Sequence, residues 1–111
     1  MDQNEATVQQ TLIRIANQVF DLHKKVQRLE QKRSLERNLH RIQEALAELG
    51  LEIHDPTGEA YAETRTDCEA SISGTHTSHL RITETLKPII RWKHQGFGHI
   101  VQRAVVIVSG E

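Results

Sequence analysis

Cys68, His76 and His79 stand in the pattern C-x7-H-x2-H. A thiolate and two imidazoles are the kind of ligands that hold zinc, but a structural zinc site takes four, often with a second close cysteine. No such cysteine is present, so no metal site is expected. The same thiol could serve as a nucleophile beside one of the seven histidines. Nothing in its local sequence activates it. There is no Walker loop, no dinucleotide fingerprint and no HExxH. The chain is therefore read as having no catalytic residue, no metal and no cofactor, and as not being an enzyme.

Two other stretches could do physical work. "RWKHQGFGH", residues 91 to 99, mixes basic side chains with aromatics, as a nucleic-acid stacking surface does. "HKKVQRLEQKRSLERNLHR", residues 23 to 41, is mixed in sign but locally basic. They support one alternative reading, a small dimeric nucleic-acid-binding or adaptor and scaffold protein. The whole chain has no polyanion-binding balance, with 14 Lys and Arg against 15 Asp and Glu.

The elements that must position these residues fall into two halves. From Asp2 to Leu49 there is neither glycine nor proline. Apolar residues recur at Val8, Leu12, Ile15, Val19, Leu22, Val26 and Leu29 in steps of four and three. That is a heptad seam on a helix. A second seam runs Leu35, Leu39, Ile42, Leu46 and Leu49, out of phase with the first by one residue. Two geometries fit. Either the chain turns near residues 31 to 34, with Ser34 capping the second helix, or one long helix runs through a phase slip. The hairpin accounts for the slip and for Ser34 together. Narrow seams of this kind are buried when two hairpins pair into a four-helix bundle, so all twelve seam residues are expected to serve dimerisation.

Gly50 ends the helical half, where a left-handed cap is wanted. Beyond it the period becomes two. "LEIHD" reads as a strand and "DPTGE" as a turn, with Pro56 fixing φ and Gly58 free to take a positive one. "CEASI" alternates, with Cys68, Ala70 and Ile72 on one face. "GTHTSH" is loop. "KPIIRWKH" is a strand with Ile90 and Trp92 on one face. "GFG" turns the chain, and "IVQRAVVIV" is the last strand, its end apolar on both faces as in a sandwiched strand. The fold class is thus α+β. A helical dimerisation segment covers residues 1–50, with helices at about 6–31 and 35–49. A small all-β domain of about four to six strands covers 51–111.

This order of parts resembles the GrpE family, the nucleotide exchange factors of DnaK-type chaperones. Three stretches carry the likeness: "LHRIQEALAELGLEIHDPTGEAY" at 39 to 61, "DCEA" at 67 to 70, and "QGFGHIVQRAVVIVSG" at 95 to 110. The chain looks like a divergent, N-terminally short relative. The resemblance implies a homodimer whose β domain binds the nucleotide-binding domain of a DnaK-like ATPase and promotes ADP release. Carried over by position, Gly50 is the helix-to-β joint. Trp92, Lys93, Gly96, Phe97, His99, Arg103 and Val108 are the partner-binding residues, with Gln102 an alternative match for Arg103.

No apolar run approaches a membrane span, and "MDQNEATVQQ" is acidic and polar, unlike a secretory signal. The single cysteine, Cys68, fits a reducing compartment. A cytoplasmic protein with no membrane partner is expected.

Overall fold

The computed structural model describes residues 3–111. Two helices, α1 (Gln3–Val26) and α2 (Arg33–Glu48), precede six strands. These are β1 (Leu51–His54), β2 (Cys68–Ser73), β3 (Arg81–Lys87), β4 (Ile89–His94), β5 (Phe97–Gln102) and β6 (Ala104–Ser109). The strands form two three-stranded sheets, ordered β1-β4-β5 and β2-β6-β3. No helix among the described residues is long and apolar enough to cross a membrane.

The chain divides into two compact units. One comprises residues up to Ile53 together with Arg91–His99, and the other comprises His54–Ile90 and Ile100–Glu111. The first strand residues and the tip of the β4–β5 hairpin group with the helices, because strand pairing joins segments far apart in sequence.

In the first unit the helices form an antiparallel hairpin. His23 approaches Gln43, and Gln27 donates to Glu36 Oε2 at 3.2 Å. Helix α1 stops earlier than residue 31. The Arg28 and Leu29 amides bond to the carbonyls three residues back, at Lys25 and Val26, and such bonds tighten a last turn. Ser34 is not the cap of α2. Lys32 occupies that position, without a side-chain cap bond. The Gln27 side chain holds the turn instead, accepting from Lys32 Nζ at 3.1 Å while it donates to Glu36.

The seam residues divide into two rows. Val19, Val26, Leu39 and Leu46 are buried and Leu12 is partly so. Val8, Ile15 and Leu22 on α1 with Leu29 just beyond it, and Leu35 and Ile42 on α2 with Leu49 at its C-cap, are between 42% and 60% exposed. The exposed residues recur every seven positions on each helix. On both helices this row lies to the same rotational side of the buried row, and the antiparallel course then turns the two exposed rows toward one face of the hairpin.

In the second unit β6 is the central strand. It runs parallel to β2, in register from Cys68↔Ala104 to Ser73↔Ser109, and antiparallel to β3. Ala104, Val106 and Val108 point into a core with Cys68, Ile82 and Ile89, against which Tyr61, Ala70 and Leu80 pack. Ile72, expected on the same buried face as Cys68, is half-exposed instead. The strand β3 had no simple alternation to announce it. Register shifts between Ile82 and Glu84 and between Thr85 and Lys87 bury Ile82 and Thr85, three residues apart.

The long connection from β1 to β2 is held by polar contacts. Asp55 accepts from the Thr57 amide and hydroxyl, and Gly58 takes a φ of 91°. Arg65 then gathers the loop. Its Nε lies 2.6 Å from Asp67 Oδ1, and its terminal nitrogens reach Glu59 Oε1 at 2.7 Å and the Ala60 carbonyl at 3.0 Å. His54 Nε2 lies 2.6 Å from Glu59 Oε2. The Arg65 hydrogen bond holds the Asp67 carboxyl below its usual range despite partial burial. Burial raises Glu59, but hydrogen bonds from Arg65 and His54 outweigh it and leave the carboxyl lowered.

Depressed carboxylates stabilise the fold above their unfolded values, and the contribution is lost as pH falls through the folded ones. The second unit should therefore hold full stability above the ordinary Glu59 and Asp67 values of 4.5 and 3.8 and lose it below them. Urea midpoints measured by circular dichroism between pH 7 and pH 3 should fall. The fall should be smaller in Arg65→Gln, which starts from a lower midpoint at pH 7.

Candidate partner-binding hairpin

The β4–β5 connection has two residues, Gln95 and Gly96, with φ of 51° and 82°. Two positive φ values in a two-residue turn match the type that follows the right-handed twist of paired strands. The turn is one residue earlier than the "GFG" of the sequence suggests. Phe97 therefore opens β5, and it stands 80% exposed.

A two-residue turn sets its flanking residues, His94 and Phe97, opposite each other. Lys93 then falls opposite Gly98, and Trp92 opposite His99. The contact at Gly98 agrees, since a Cβ there would sit 3.3 Å from Lys93 Cγ. One face of the hairpin thus carries Trp92, His94, Phe97 and His99. Trp92 is half-buried, while the other three are exposed. His94 belongs to this face although its position matched nothing that pointed to a role.

Lys93 ties the hairpin to the end of the helices. Its amide donates to the Gly50 carbonyl at 2.7 Å, and its ammonium lies 2.8 Å from Glu52 Oε1. Gly50 has a φ of 99°, and a Cβ at this position would collide with the Lys93 carbonyl oxygen. Glycine serves here both as helix terminator and as the point where β4 comes closest. The Lys93 side chain is already paired within the chain. Glu52 gave no sequence signal beyond its place in an alternating strand.

The remaining expected contacts lie in the other unit. Arg103 donates from Nε to the Thr66 carbonyl at 3.0 Å and from a terminal nitrogen to the Cys68 carbonyl at 2.8 Å. It also reaches Glu69 Oε1 at 3.2 Å. It fastens the start of β2 beside β6. Gln102 donates to the Pro88 carbonyl at 3.0 Å. Val108 is fully buried in the core. That removes it from the contact set, because a residue without surface cannot touch a visitor. Trp92, Gly96, Phe97 and His99 are brought together at one tip, with Lys93 beside them, while Arg103 and Val108 belong to the other unit.

The C-x7-H-x2-H set does not gather. Cys68 is buried, and burial pushes its thiol up to about 11, so it is protonated at neutral pH. His76 and His79 are exposed in the loop before β3. Among the described residues no group of three or more His, Cys, Asp or Glu side chains could hold a metal ion.

Gly50→Ala should lower stability by at least roughly 1–2 kcal/mol from left-handed backbone alone, with faster hydrogen exchange at the Lys93 amide. Phe97→Ala should change the melting free energy by less than about 0.5 kcal/mol, as surface substitutions do. A large loss in Phe97→Ala would mean that the ring is structural.

No family model matches this chain, and no curated protein or solved structure matches it significantly.

Proposed function

We propose that the chain is a nucleotide exchange factor. It binds the nucleotide-binding domain of a DnaK-like ATPase in the cytoplasm as a homodimer and promotes ADP release. The observation that carries this reading is Phe97. A large apolar ring 80% exposed at the tip of a fixed hairpin has no use inside its own chain, and aromatic residues anchor many interfaces. The resemblance to the GrpE family in residues 39–61, 67–70 and 95–110 points the same way.

Binding partners are displaced by preference, not by contact alone. A factor that holds the open nucleotide cleft more tightly than the closed one shifts the ATPase toward release; one that holds both equally shifts nothing. Such work needs no chemistry from the factor itself. It needs a tip whose position is fixed, and the Gly50–Lys93 hydrogen bond and the Lys93–Glu52 ion pair supply that here. Trp92, Gly96, Phe97 and His99 would form the contact, with Lys93 positioning them.

The dimer rests on the exposed row of the helical hairpin. Val8, Ile15, Leu22, Leu29, Leu35, Ile42 and Leu49 make one apolar face, and soluble monomers rarely expose a contiguous apolar patch of more than a few hundred Å². Heptad spacing on both helices suits knobs-into-holes packing against a like surface. The buried row, Val19, Val26, Leu39 and Leu46 with Leu12, closes the hairpin itself and is not free for a second copy.

In single-turnover assays on a DnaK-like ATPase, the protein should accelerate release of labelled ADP. Phe97→Ala and Trp92→Ala should each reduce that acceleration by about tenfold or more, the scale of a hot-spot loss. By sedimentation the free protein should be a dimer, and Leu22→Glu with Ile42→Glu should make it a monomer. Absence of any acceleration across several such ATPases would overturn the exchange reading.

A further inference from the structure

The turn between the helices carries charge that nucleotide exchange does not use. Between His23 and Arg41 the sequence has seven basic residues against two acidic ones, in a chain of formal net charge -1. Two of the seven are engaged nearby: Lys24 lies over the Phe20 ring, 5.5 Å from its centroid, and Lys32 bonds Gln27. The other five, Lys25, Arg28, Arg33, Arg37 and Arg41, are exposed. No ion pair or hydrogen bond among the described residues engages their side chains.

Arg33, Arg37 and Arg41 follow one another at four-residue steps on α2. They form a single stripe about 12 Å long at 1.5 Å rise per residue. Like charges at this spacing oppose helix formation, so local stability does not explain the pattern. Arg37 lies about 160° around the helix from Leu35 at 3.6 residues per turn. The stripe therefore faces away from the apolar row.

We propose that this stripe docks on the phosphate backbone of duplex DNA without reading its sequence. The guanidinium fork matches phosphate oxygens in two-point hydrogen bonds, and a helix carrying it fits a major groove about 12 Å wide. Other polyanions fit less well. Residues 23 to 41 contain no Phe, Trp or Tyr, so a single strand finds no stacking platform. The exposed apolar row of α2, Leu35, Ile42 and Leu49, faces away from the arginines, so a membrane surface that took up these leucines and this isoleucine would leave the guanidinium groups in water. The proposal stands apart from nucleotide exchange and from the hairpin.

The test is fluorescence anisotropy of a labelled 20-base-pair mixed-sequence DNA duplex with the full chain, from 50 to 200 mM NaCl. If the three arginines each neutralise a phosphate, the log–log salt slope is about -2.7 and affinity falls on the order of 40-fold over that range. Arg33→Gln/Arg37→Gln/Arg41→Gln should abolish the salt dependence and weaken binding at 50 mM by at least about tenfold. Its helix content by circular dichroism should be unchanged or higher. Phe97→Ala should bind DNA as the parent does. Absence of binding at 50 mM, or full binding by the triple variant, would overturn the proposal. So would tighter binding to duplex RNA, to single-stranded DNA or to phosphatidylserine vesicles.

Discussion

One backbone hydrogen bond organises the first unit, from the Lys93 amide to the carbonyl of Gly50. It requires a residue with a φ of 99° and no Cβ at the end of α2. Only glycine meets both conditions without strain. The bond joins positions more than forty residues apart in sequence, and it does so at the step where helical period gives way to strand period. The Lys93–Glu52 ion pair lies beside it and is half-exposed, so it adds direction more than stability. The tip residues Trp92, His94, Phe97 and His99 inherit their placement from this attachment.

The second unit is organised differently, around a strand that is hydrogen-bonded on both edges. β6 takes β2 on one side and β3 on the other. Its valines fill a core with Ile82 and Ile89. Much of what surrounds that core is polar and inward-looking. Arg65 closes a loop on two carboxylates and a carbonyl, and Arg103 caps two carbonyls at the start of β2. A core this small benefits from such fastenings, because few apolar side chains are available to order thirteen residues of loop.

The helical half was legible because steps of four and three have one structural meaning. Gly50 was legible for the same reason, as the first glycine after an unbroken seam. What the seam did not reveal was its own division, since heptad spacing cannot say which row a chain covers with its own second helix. Ser34 looked like a cap because caps are judged by residue type, whereas Gln27 reached the turn from the preceding helix. β3 is illegible in the sequence because two register shifts break the alternation of its burial. The hairpin face was half legible: aromatic and basic residues were visible in "RWKHQGFGH", but the one-residue shift of the turn decides that Phe97 lies in a strand and faces out. Arg103 matches a contact by position, yet its donors meet the carbonyls of Thr66, just before β2, and of Cys68, in β2, which only the folded sheet brings near.

The order of strands along the chain has a consequence for synthesis. β2 and β3 are not neighbours; each depends on β6, which leaves the ribosome after both. A nascent chain will have made Cys68–Ser73 and Arg81–Lys87 well before either has an edge to join. Until then Ile82, Cys68 and Ile72 remain open to other chains, and parallel pairing across such a distance closes slowly. The helical hairpin, built from neighbours in sequence, carries no such delay. The molecule thus emerges in two tempos, with its early half ready while the later one still waits for its keystone.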